Sequence, residues 1–118
     1  MQNYKELDVW QKAVALAPAL YELTASFPDT ERYGLHVQIR RAATSVPANI
    51  AEGWGKGSTK EYIQFLLIAR GSLMEVETHL IIARNLRYLD EERFSPVLKR
   101  IEDIAKMQNR LIGSLKSR

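Results

Sequence analysis

The stretch from Gln38 to Ser58 constrains this chain more than any other, because a helical seam, an internal proline and a glycine-rich stop follow one another without a gap. At three-and-four spacing, Leu35, Ile39, Ala42, Val46, Asn49 and Gly53 fall on one helix face, the pattern of a buried seam. Asn49 interrupts that seam with an amide. Beside it runs a polar line, Gln38, Arg41, Ser45 and Glu52, whose members can bond one another or a neighbouring helix. Pro47 cannot donate to the carbonyl of Ala43, so a bend is expected there. Gly53, Gly55 and Gly57 then end the helix, and Ser58-Thr59-Lys60-Glu61 reads as a capping box that starts the next, with the Glu61 carboxylate reaching back.

The rest of the chain repeats the helical period. A first helix over 7–26 carries the stripe Leu7, Trp10, Val14, Ala17, Tyr21 and Thr24, widened by Ala13, Leu16, Leu20, Leu23 and Phe27, with a kink expected at Pro18. Asp29 is read as the N-cap of the second helix, 30–52, with Glu31 in its first turn. The third helix, 59–87, has two apolar lines. One is Tyr62, Phe65 or Leu66, Ala69, Leu73, Val76, Leu80 and Ala83; the other is Ile63, Leu67, Gly71, Met74, Thr78 and Ile81. A helix on the outside of a small bundle needs only one such face, so the second points to cover by another subunit. The fourth helix, 91–115, has a core line of Phe94, Leu98 with Val97, Ile101, Ile104 or Ala105, Met107 or Gln108, Leu111 and Leu115. Its N-cap is either Asp90 or, with Pro96 at the first helical position, Ser95. With no strand alternation, repeat or low-complexity linker, 118 residues make one all-α domain, an antiparallel up-down four-helix bundle over 1–118.

Composition narrows the function. The absence of cysteine removes disulfides, thiolate metal sites and cysteine nucleophiles, and agrees with an intracellular setting. The polar start Met-Gln-Asn-Tyr-Lys-Glu has no signal-peptide core, and no apolar run is long enough to span a membrane, so a cytoplasmic protein without a membrane partner is expected. A net charge of +3 permits nucleic acid without requiring it. After Asp103 the chain carries Lys106, Arg110, Lys116 and Arg118 and no acid, which also matches the dipole of a helix C-terminus.

Catalysis finds little support in the pattern. His36 and His79 lie on different helices, Glu75 and His79 are four apart rather than three, and no nucleophile elbow occurs. No metal, cofactor or catalytic residue is expected, and both histidines are read as surface polarity. Gly53-Trp54-Gly55-Lys56-Gly57-Ser58 resembles a phosphate loop only superficially, since no strand precedes it and glycine follows the lysine. It reads as an inter-helix turn at which a nucleic-acid phosphate could still sit. Arg40 and Arg41 point about 100° apart on a helix. Arg41, with Ser45, Asn49 and Glu52, is expected to form a structural network tied to Glu75 or Glu77 of the third helix, whereas Arg40 faces solvent. The candidate phosphate contacts are Arg40, Lys56 and Lys60, around one helix end and its glycine turn; Trp10, Tyr21 and Trp54 are assigned to packing rather than base stacking.

Several segments together resemble the four-helix-bundle proteins named for intervening sequences in bacterial 23S ribosomal RNA genes. They are Leu7-Asp8-Val9-Trp10-Gln11-Lys12-Ala13, Phe27-Pro28, Tyr33-Gly34-Leu35, Gln38-Ile39-Arg40-Arg41-Ala42, Ser45-Val46-Pro47-Ala48-Asn49-Ile50-Ala51-Glu52-Gly53 and Ala69-Arg70-Gly71-Ser72-Leu73 with Glu75-Val76-Glu77-Thr78. Pro18 and Pro96 depart from that pattern. The resemblance implies a left-handed bundle assembling as a ring of five subunits, and a related branch accompanies the reverse transcriptase of diversity-generating retroelements, binding nucleic acid and the polymerase. The expectation is a non-enzymatic homo-oligomer, a pentamer, that binds RNA or DNA through a basic surface, with Ile63, Leu67, Gly71 and Met74 at the subunit interface. The alternative is an oligomeric scaffold for a partner protein without nucleic-acid affinity. A third class, an enzyme acting on a phosphate-bearing small molecule at Lys56, would show a defined ligand at the glycine turn.

Overall fold

The structure, a computed structural model, describes residues 3–118. A 3₁₀ turn, Tyr4–Glu6, leads into α1 (Asp8–Thr24); a second, Asp29–Glu31, precedes α2 (Leu35–Gly55), and α3 (Thr59–Asn85) and α4 (Glu91–Lys116) follow. No strand occurs among the described residues. Neighbouring helices run antiparallel. Ser45 meets Ser72 while Gly53 meets Tyr62 and Phe65, and Arg70 meets Asn109 while Arg84 meets Glu91, so each pair of contacts advances in opposite directions along the two helices. Direct packing of α1 on α4 closes the four-helix arrangement. None of the helices is long and apolar enough to cross a membrane.

The core of α3 follows the expected line: Leu66, Ala69, Leu73, Val76, Leu80 and Ala83 are all buried. On α1 the expectation was rotated. The line taken as secondary, Ala13, Leu16, Leu20, Leu23 and Phe27, is the buried one together with Val9; of the stripe expected to lead only Thr24 is buried, and Val14 and Tyr21 stand exposed. The physical reason is that α1 has apolar residues on more than half its circumference, so period alone leaves the buried direction open and the contacts with α2 and α4 choose it. On α4 the seam drifts to Ile112 and Leu115, leaving Leu98 and Leu111 half-buried. Gln108 takes the core position, with no exposure and no partner for either amide atom among the described residues.

Helix boundaries also changed. Asp90 caps α4 by accepting from the Arg93 amide at 3.0 Å, which leaves Ser95 and Pro96 inside the helix. Asp29 does not cap α2. The chain makes its 3₁₀ turn there and α2 begins at Leu35, whose amide is met by the Glu31 carboxylate at 3.1 Å. That carboxylate packs so close to Gly34 that a Cβ there would lie 2.5 Å from Glu31 Oε1. Gly53 does not stop α2 either; it is buried within the helix, where a Cβ would lie 2.7 Å from the Phe65 Cβ. Its missing side chain is what lets α2 and α3 approach, and the left-handed turn residue is Gly57, at φ +84°.

Candidate nucleic-acid interface

At one end of the bundle the C-terminus of α2, the N-terminus of α3 and the C-terminus of α4 come together. Lys56 follows α2, its ammonium 5.5 Å from the centre of the Phe65 ring, and Lys60 stands exposed in the first turn of α3. Ser58 Oγ accepts from the Glu61 amide at 3.2 Å and donates to the Glu61 carboxylate at 3.1 Å, so the box closes between side chains rather than through the Ser58 amide. Lys116 ends α4 and Arg118 follows it. Burial raises the pKa of Tyr62, and the positive charge of Arg118 offsets this in part. The three ion pairs among the described residues, Arg84–Glu91, Arg93–Asp90 and Lys99–Asp103, involve none of these cations. Trp10 and Trp54, both half-buried, meet the ring of Tyr4 edge-on, with centroids 5.3 and 5.9 Å apart, and so pack the α1–α2 groove at this end.

Arg40 does not join the lysines. It lies on α2 sixteen residues before Lys56, which follows that helix, about 24 Å along the axis. Nor does it point free into solvent. Its Nε donates to Thr24 Oγ1 at 3.0 Å, its Nη2 to the Tyr21 carbonyl at 2.9 Å, and its guanidinium carbon sits 4.4 Å from the centre of the Tyr21 ring. A cation is favoured there because the carbonyls of the last turn of α1 carry partial negative charge. Tyr21, assigned to packing, is 41% exposed and serves as the plate on which this arginine rests.

Around Arg40 the structure opens a shallow groove of about 450 Å³, lined by Tyr21, Arg32, Tyr33, His36, Val37, Arg40 and Arg41. Arg32, Tyr33 and His36 were not singled out as a site from the sequence. The signal was the four-residue spacing of Arg32, His36 and Arg40, and it was obscured because Arg32 lies in the turn before α2.

The expected polar network is smaller than its sequence version. Ser45 Oγ and Ser72 Oγ are 2.8 Å apart, and Asn49 Nδ2 donates to the Ser45 carbonyl at 2.8 Å and to Ser45 Oγ at 2.9 Å. Arg41 and Glu52 are exposed and outside it, and no ion pair links Arg41 to Glu75 or Glu77 among the described residues. Glu75 contributes only its carbonyl, 2.8 Å from His79 Nδ1, and Glu77 is half-buried. Ser72 stands in the segment Ala69-Arg70-Gly71-Ser72-Leu73 but was not assigned to the network; pairing two hydroxyls across α2 and α3 removes the need for a charge. On the outer side of α3, Ile63 and Leu67 are half-buried and Gly71 and Met74 exposed, so this apolar stripe reaches solvent in the single chain.

Residues 5–110 match the family described as 23S rRNA-intervening sequence protein. A crystal structure from Bacteroides thetaiotaomicron VPI-5482, of a protein with unknown function from the S23 ribosomal protein family, is similar with a TM-score of 0.82 and 24% identity, over 89% of this chain and 95% of that one. At that identity the likeness concerns the fold. No curated protein matches.

Proposed function

This chain belongs to the 23S rRNA-intervening sequence protein family, and from that premise we propose a non-enzymatic, cytoplasmic homo-oligomer that binds RNA or DNA through a basic surface. The observation that carries the reading is the gathering of Lys56, Lys60, Lys116 and Arg118 at one bundle end, outside every ion pair among the described residues. Cations of this kind meet backbone phosphates and release counterions, so affinity falls steeply with salt and sequence preference is small. The stripe of Ile63, Leu67, Gly71 and Met74 supports self-association, and a ring of five would repeat the basic end on every subunit, letting modest contacts sum.

Binding of structured RNA, single-stranded RNA and duplex DNA over a salt series tests the reading, with Lys56→Gln/Lys60→Gln beside the parent. Each lost phosphate contact lowers the salt slope by about 0.9 on B-form DNA. An unchanged slope in a folded double variant removes this surface. No binding by the parent at low salt favours the alternative, a scaffold for a partner protein, which the same exposed stripe on α3 would serve. Light scattering reads the oligomer directly; Leu67→Glu is expected to yield monomers, and a monomeric parent at micromolar concentration would remove the assembly.

A further inference from the structure

We infer that the groove between the C-terminal half of α1 and the N-terminal half of α2 binds unpaired nucleotides of a single strand, a base stacking on Tyr33 and phosphates meeting Arg32 and Arg41. The inference rests on the nucleic-acid reading above and assigns it a second, chemically different site. Three guanidinium groups and the His36 imidazole line the groove, and no carboxylate does. Arg32 and Arg41 are exposed and outside every ion pair among the described residues, so both are available to an anion. Arg40 is held in place by its two hydrogen bonds and by the Tyr21 ring, which gives the groove a rigid floor of fixed positive charge.

Aromatic surface separates this site from a general anion patch. Tyr33 is 86% exposed, more than any other large apolar side chain among the described residues, and Tyr21, whose ring carries the Arg40 guanidinium, lines the same groove. Every base has a π-face, so an exposed ring beside free guanidinium groups suits a base with its flanking phosphates. An acidic peptide would satisfy the arginines and leave the Tyr33 ring unused. A duplex keeps its bases stacked inward and offers only phosphates. The groove is open rather than enclosing, whereas a site for a free nucleotide covers most of its ligand, so a strand that continues past both ends fits better.

Anisotropy of a fluorescein-labelled rA12 strand, its duplex with rU12 and an abasic strand of equal length tests this, with AMP as competitor. Tyr33→Ala is expected to weaken rA12 binding about tenfold while leaving duplex and abasic binding unchanged, and Tyr33→Phe to keep parental affinity. Arg32→Gln/Arg41→Gln should reduce the single-strand salt slope by about 1.4, two contacts at about 0.7 each. Thermal melts establish that the variants are folded, which the exposure of all three side chains favours. If Tyr33→Ala binds rA12 like the parent while Lys56→Gln/Lys60→Gln binds it less, the groove is overturned and the basic end stands. AMP displacing the strand at micromolar concentration would reassign the groove to free nucleotides and overturn the strand assignment. A parent that binds no nucleic acid at low salt overturns both sites.

Discussion

The two turns that flank α2 solve the same problem by different means. At its C-terminal end three residues, Lys56, Gly57 and Ser58, separate α2 from α3; Gly57 takes the left-handed conformation and Ser58 caps α3 with its neighbour Glu61. All the parts lie within a few residues of one another. At its N-terminal end the segment from Ala25 to Gly34 is tied down by distant groups. Arg40 reaches back to Tyr21 and Thr24, and Glu31 accepts from both the Leu35 amide and the Tyr88 hydroxyl, the latter at 2.8 Å across fifty-seven positions of sequence. That hydrogen bond, with burial and the Glu31 charge, raises the pKa of Tyr88. The difference lies in what closure does to the cations: the turn closed by its own residues leaves Lys56 and Lys60 to solvent, whereas the one closed at long range fixes Arg40 in place and, within the turn, leaves only Arg32 exposed.

Six substitutions, one of them used only in a double-mutant cycle, break or sharpen this comparison. The largest effect is expected at the junction closed locally, since Gly53→Ala forces a methyl to within 2.7 Å of the Phe65 Cβ. Loss of about 2 kcal/mol in chemical denaturation follows from overpacking; an unchanged midpoint would mean that α2 and α3 separate without penalty. Gln108→Met, in the core away from both turns, is expected to raise stability by about 1–2 kcal/mol, because it replaces an amide that has no partner with an apolar chain of similar shape. A drop in melting temperature instead would reveal a partner for that amide.

At the long-range turn, Arg40→Met is expected to cost about 1 kcal/mol, the charged hydrogen bonds being discounted for partial exposure. A double-mutant cycle with Thr24→Val should return a coupling of about 0.5 kcal/mol or more; additive losses would show that Arg40 contributes through its charge alone. The smallest effects separate a true cap from an apparent one. Ser58→Ala should cost about 0.5–1 kcal/mol and Asp29→Ala less than about 0.5. Equal losses from the two would restore Asp29 as a cap.

Much of the fold was legible in local sequence. The helical period, the Ser58 box and the α3 core line each depend on residues within one or two turns of helix, where side-chain spacing and backbone hydrogen bonding leave few alternatives; between Asp90 and Ser95 as the cap of α4 the sequence leaves both open, and the Arg93 amide on Asp90 decides. Their placement needed no knowledge of a partner helix. Of the candidate interface, Lys56 and Lys60 were found because the glycine turn marks their neighbourhood. The groove around Arg40 was not, because its parts come from two helices and the turn between them.

By itself, then, the sequence of this protein determined that there are four helices, roughly where they lie, and that one turn carries two lysines beside a helix end. Only the tertiary structure decided which face of α1 is buried, that Gly53 is a point of close approach rather than a stop, that Ser72 completes the pair with Ser45, and that Arg40 clamps α1 while Arg32, Tyr33 and Arg41 share a groove. The physical reason is range. Period and capping follow from neighbours along the chain, whereas burial direction, close approach and the partner of a charged side chain depend on which surfaces meet after the helices pack.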